Sequence, residues 1–81
     1  GRSTDEAVKI VALSDKLSNV RAMHRDVLAL GDGLWTRFNQ KDKTMHAWYY
    51  RAVGQTLESL SGHEAYSEYL ALRDKVFGDC L

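Results

Sequence analysis

The stretch Val8-Lys9-Ile10-Val11-Ala12-Leu13-Ser14-Asp15-Lys16-Leu17-Ser18-Asn19-Val20-Arg21-Ala22 decides the fold, because it reads as one helix with apolar residues on two opposed sides. At about 100° per residue, Ile10, Leu13, Leu17 and Val20 gather on one side, as a core-facing stripe should. Val8, Val11, Ala12, Asp15, Asn19 and Ala22 fall within roughly a 100° arc on the opposite side. A helix apolar on two faces expects partners on both. Ser3 with Glu6 three residues later reads as a capping box, and Gly31-Asp32-Gly33 as a terminator. The helix is therefore expected from about Thr4 to the neighbourhood of Met23 or Leu30.

Working outward, a short helical turn is expected around Leu34 to Phe38, followed by the polar stretch Asn39-Gln40-Lys41-Asp42-Lys43. Met45, Trp48, Tyr49, Ala52, Val53, Leu57 and Leu60 then recur at three- and four-residue steps. That predicts a second helix of about 18 residues with one broad apolar stripe, and His46, Arg51, Gln55 and Glu58 on its polar face. Ser61-Gly62-His63 makes a turn, and a third helix is predicted from about Glu64 to Phe77, with Tyr66, Tyr69, Leu70, Val76 and Phe77 on one side. Proline is absent and no alternating strand pattern competes. The expected fold is all-α, three main helices plus a short connecting one.

The bulk numbers agree with a small folded unit. At 81 residues the chain is one domain at most, and 44% hydrophobic with 27% charged residues is too apolar for a disordered segment. Eleven basic and eleven acidic residues cancel, which removes any sequence-independent drive toward nucleic acid or anionic lipid. No apolar run approaches the roughly 20 residues a membrane span needs, and the expected location is cytoplasmic. The single cysteine, Cys80, has no internal disulfide partner and reads as a tail thiol. Gly1-Arg2-Ser3 carries no functional weight.

Asp15 is the residue that asks for an explanation. A carboxylate in the middle of an apolar face is expensive to bury unpaired, so a divalent metal, a cation from another helix or an exposed position must compensate it. The remaining polar candidates read more simply. His24, His46 and His63 show no ligand spacing and read as surface or helix-end residues. Trp48, Tyr49 and Tyr50 read as core or interface packing rather than base-stacking platforms. Lys16, Lys41 and Lys43 read as solvated, with Lys16 placed to help with phosphate beside Asp15. Gly31-Asp32-Gly33 has none of the spacing of a phosphate-binding loop.

The run Ala12-Leu13-Ser14-Asp15-Lys16-Leu17-Ser18-Asn19-Val20-Arg21 resembles the last motif of the HD phosphohydrolase superfamily, in the branch of RelA/SpoT-type (p)ppGpp hydrolases. Gly33-Leu34-Trp35-Thr36-Arg37-Phe38-Asn39, Lys43, His46-Ala47-Trp48-Tyr49-Tyr50-Arg51, Glu68-Tyr69 and Val76-Phe77-Gly78 resemble the C-terminal stretch of small bacterial members, in the same order. Ser14 and Ala22 depart from that pattern, where alanine and a polar residue are usual.

The resemblance implies that Asp15 is the final ligand of a Mn²⁺-type site and that Asn19, with Lys16 beside the phosphate, faces the nucleotide substrate. It further implies that the other ligands, a histidine and the histidine-aspartate dipeptide, come from earlier helices. None of the three histidines here is followed directly by aspartate. Residues 1–79 are thus expected to be the C-terminal helical part of such a domain, with 80–81 a tail. One carboxylate supplies neither the affinity nor the geometry of a site, so no tight metal binding and no catalysis are expected from these residues alone. The competing expectation is a helical interaction module without catalysis, its Val8, Val11 and Ala22 face covered by another copy of the chain or by a partner.

Overall fold

The computed structural model describes residues 2–80, with side chains from Thr4 onward. The described residues form three α-helices, α1 (Arg2–Leu30), α2 (Lys43–Thr56) and α3 (Glu64–Phe77), linked by short 3-10 segments at Gly31–Arg37 and Glu58–Leu60 and followed by one at Gly78–Cys80. The Ser3 side chain of the expected capping box and Leu81 of the expected tail lie outside what is described.

The boundaries of α1 and α2 have local causes. Gly31 takes φ +58°, the left-handed conformation that glycine adopts without a Cβ penalty, and so terminates α1. Asp42 caps α2, its carboxylate accepting from the Thr44 amide at 2.9 Å and the Thr44 hydroxyl at 2.6 Å. The second helix is shorter than its periodicity predicts. It stops at Thr56, and Leu60 reaches the core from the following 3-10 turn.

At 1.5 Å per residue a helix of this length is about 44 Å long, so α1 with its 29 residues sets the 42 Å long dimension of the molecule. It packs chiefly on α3 and on the Gly31–Arg37 segment. The two helices run in the same sense: Glu6 lies 3.9 Å from His63 at one end, and Trp35, just beyond α1, packs on Phe77 at the other. The α2 and α3 helices form an antiparallel hairpin. Tyr66 donates its hydroxyl to the Gly54 carbonyl at 2.8 Å, Tyr69 to the Tyr50 carbonyl at 2.5 Å, and Lys43 to Asp79 at 2.7 Å.

The core follows from these pairings. Leu13, Leu17, Val20 and Met23 of α1 meet Tyr66, Tyr69, Val76 and Phe77 of α3, closed by Leu34, Trp35, Ala47, Tyr50, Leu57 and Leu60. The structure corrects five expectations. Ile10, placed in the core stripe of α1, is exposed. On α2 the buried side is Ala47, Tyr50 and Gly54, while Met45, Trp48 and Tyr49 of the expected stripe are exposed. The small Ala47 and Gly54 let α2 lie close to α3, and that contact, not the greasiest arc, fixes its rotation. His46, assigned to the polar face, is instead partly buried against Trp35 and Phe38, with Nε2 2.6 Å from the Gln40 carbonyl oxygen. Lys43 is not a freely solvated lysine, since it holds Asp79 and approaches Asp32 at 3.8 Å. Cys80 is half-buried rather than loose.

Candidate functional site

Because α2 leans on α3 and stands off from α1, a cleft of about 480 Å³ opens between α1 and α2. Ala12 and Lys16 line it from α1, and Trp48, Tyr49, Ala52 and Val53 from α2. A neighbouring cleft of about 340 Å³ takes Asn19, Ala22, Met23 and Asp26 from α1, with Phe38 and Tyr50 opposite. Ala12, Lys16, Asn19 and Met23 follow one another at four-, three- and four-residue steps, so one stripe of α1 forms the wall of both. The concavity is mostly apolar and aromatic with a few polar groups, the usual character of a small-molecule site.

The structure brings Asp15, Lys16 and Asn19 to this side of α1. Asp15 stands at the rim, its side chain 66% exposed, so exposure is what makes its charge affordable. Its carboxylate lies 3.4 Å from the Lys16 ammonium. Lys16 reaches into the first cleft, with Nζ 5.5 Å from the centre of the Tyr49 ring. Partial burial works against the Lys16 charge, but Tyr49 and Asp15 more than offset it, and the ammonium stays firmly protonated with a raised pKa. Burial pushes the Tyr50 phenol up, only partly opposed by the Lys16 charge and by Asn19. The arrangement offers one fixed cation, an amide and two phenols beside an aromatic wall, which is suited to binding an anion attached to a flat ring.

Of the apolar residues around Asp15, Val8 and Val11 are uncovered, while Ala12 and Ala22 are half-buried. Val8 is 63% and Val11 70% exposed, and Trp48 across the cleft is 67% exposed. Sequence reasoning assigned Trp48 and Tyr49 to packing and so missed this aromatic wall. The usable signal was the pair Ala47 and Gly54, small residues that turn the opposite face of α2 inward.

A hard oxygen donor such as Asp15 suits a Mn²⁺-class ion, but such an ion takes several ligands. No cluster of three or more His, Cys, Asp or Glu side chains able to share a metal occurs among the described residues. His24, His46 and His63 are not brought to Asp15: His46 belongs to the Trp35 and Phe38 cluster, and His63 lies by Glu6.

No family model, no curated protein and no solved structure matches the chain. No helix among the described residues is long and apolar enough to cross a membrane.

Proposed function

We propose that the chain is the C-terminal helical part of an HD-type, metal-dependent phosphohydrolase acting on nucleotide pyrophosphates of the (p)ppGpp class. In this reading Asp15 supplies one ligand to the metal, while Lys16 and Asn19 contact the nucleotide from the α1 wall of the cleft. The observation that carries it is the grouping of these three side chains along one side of α1, Asp15 exposed at the rim and Lys16 and Asn19 half-buried in the walls of the aromatic-lined clefts. The exposed Val8 and Val11 leave a landing surface for the helices that would bring the histidine and histidine-aspartate ligands. A bound divalent ion in such enzymes polarises a phosphoryl oxygen and acidifies water. The residues of this chain would orient the nucleotide and complete the ligand set.

The test is a protein that contains both these helices and the upstream ones. There Asp15→Ala abolishes metal-dependent hydrolysis of ppGpp while the helical circular dichroism is unchanged, and full activity of the variant overturns the assignment. The 81-residue chain alone, titrated calorimetrically with Mn²⁺, binds no better than an exposed carboxylate. Sub-micromolar binding or ppGpp turnover by the chain alone refutes the reading of a partial site.

The exposure of Val8 and Val11 on α1, and of Trp48 across the cleft, favours one second reading, a helical interaction module that covers this face with another copy of the chain. Light scattering across a concentration series separates the two. A dimer dispersed by Val11→Lys supports the module, and a monomer at all concentrations removes it.

A further inference from the structure

A third concavity, about 580 Å³, is lined by Arg51, Arg73, Asp74 and Gly78 and has no α1 residue in its wall. Its central group is Arg73. The Arg73 side chain is only 15% exposed, less than that of any other ion-paired cation among the described residues. Yet its donors are poorly used: Nε at 3.2 Å and Nη2 at 3.0 Å both donate to one oxygen, Asp74 Oδ1. Of the five N–H donors a guanidinium carries, those on Nη1 and the second on Nη2 meet no protein acceptor among the described residues. Packing of its methylene stem explains why the side chain is covered but not why the fork is held open.

Two further features single the place out. Gly54 leaves the surface of α2 bare beneath the guanidinium, and a Cβ there would come within 2.9 Å of Arg73 Nη1. Arg51, exposed on the same wall, makes no ion pair and no side-chain hydrogen bond among the described residues. Two guanidiniums against one carboxylate leave the cleft with a single excess positive charge. Planar forks of this kind match the oxygens of a tetrahedral oxyanion in pairs.

We infer that this cleft binds an oxyanion of the phosphate class, gripped by the free edge of Arg73 and closed by Arg51, with Asp74 holding the Arg73 fork in place. The site is separate from the Asp15 face and does not rest on the hydrolase reading.

The experiment is a nuclear magnetic resonance titration of the full chain with inorganic phosphate. It follows the Arg73 Nε–H and Gly78 amide signals, with sodium chloride at matched ionic strength as control. Saturable shifts with a Kd of about 1 mM are expected, a strength typical of one small, solvent-accessible ion. Arg73→Lys, which keeps the charge and loses the fork, weakens binding about tenfold. Arg51→Gln, at an exposed position that cannot unfold the chain, weakens it severalfold. Glycerol 3-phosphate run in parallel separates the sources of the group: tighter binding than phosphate assigns the site to a phosphomonoester, equal binding to the free ion, and either supports it. Shifts that do not saturate, that chloride reproduces, or that persist unchanged in both variants overturn the proposal.

Discussion

Replacing Gly54 with alanine sets two effects of opposite sign against each other at one atom. Inside a helix the change favours the folded state by roughly 0.8–1 kcal/mol, because glycine loses more backbone freedom on folding. The new methyl would stand 3.5 Å from Leu70 Cδ2 and Tyr69 Cε1, ordinary van der Waals contact that adds no strain. Against this, Arg73 Nη1 at 2.9 Å must retreat. What retreats is the tip of a flexible chain, and what it gives up is an ion pair to a carboxylate that is 58% exposed, a class of interaction worth about 0–1 kcal/mol. The helix term wins. Gly54→Ala is expected to stabilise the chain by about 0.5 kcal/mol, a rise in Tm of roughly 2–4 °C for a domain of this size. Urea denaturation and thermal melting measure it directly. In an Arg73→Met background, where nothing has to retreat, the gain should grow to about 1 kcal/mol. A loss of more than about 1 kcal/mol in the Arg73 protein would mean instead that the guanidinium cannot leave its seat cheaply. The same variant also displaces the Arg73 fork, so phosphate-induced shifts should weaken while stability rises.

Other expectations follow from single contacts. Phe77 is fully buried between Trp35 and Tyr50, so Phe77→Ala should cost about 3–5 kcal/mol and leave little folded protein at room temperature by circular dichroism. The two tryptophans should be optically distinct: a neutral quencher reaches Trp48 and not Trp35, and Trp48→Phe should leave a blue-shifted, unquenched emission. Equal quenching of both would contradict the rotation of α2. The carboxyls of Glu68, Asp42 and Asp79 are held below their usual range by Arg21, by Thr44 and by Lys43 respectively. A lowered folded pKa adds stability that is complete above the unfolded value and is lost as pH falls through the folded one. Tm should therefore be flat from neutrality down to about pH 5 and drop below about pH 4, and replacing the three by Gln, Asn and Asn should flatten that drop.

Local rules carried most of the fold. The third helix occupies the expected Glu64–Phe77 span, and α1 ends at Gly31, where a single residue must take a positive φ. Leu13, Leu17 and Val20 are buried as their spacing predicts, while Val8 and Val11 on the second face are left uncovered. Asp15 and Asn19 could be placed on their shared side by counting residues along one helix, whereas Lys16, about 100° further round, reaches the cleft by the length of its side chain. The aromatic wall could not, because it depends on how α2 is rotated about its own axis. Periodicity weights the residues by hydrophobicity and so favours Trp48 and Tyr49, whereas the rotation is set by close approach at Ala47 and Gly54 and by the tyrosine hydroxyls of α3. The Arg73 cleft was invisible for a similar reason. Arg51 and Arg73 lie on different helices, and only the hairpin brings them to one wall.

The two tyrosine hydroxyls of α3 grip carbonyls one helical turn apart on α2, Tyr66 on Gly54 and Tyr69 on Tyr50. Such a pair works as a vernier, and it dictates where the chain tolerates a change of length. Adding a residue at the exposed Ser61-Gly62 turn lengthens the bend without moving either mark, and the hairpin can close as before. Deleting one residue between Tyr50 and Gly54 leaves composition and apolar content almost unchanged, yet rotates everything beyond it by about 100°. Both hydroxyls then cannot be seated at once, and the one left out would be buried without an acceptor. Insertions and deletions should therefore accumulate at the Ser61-Gly62 bend and be purged from the four-residue interval that the tyrosines measure.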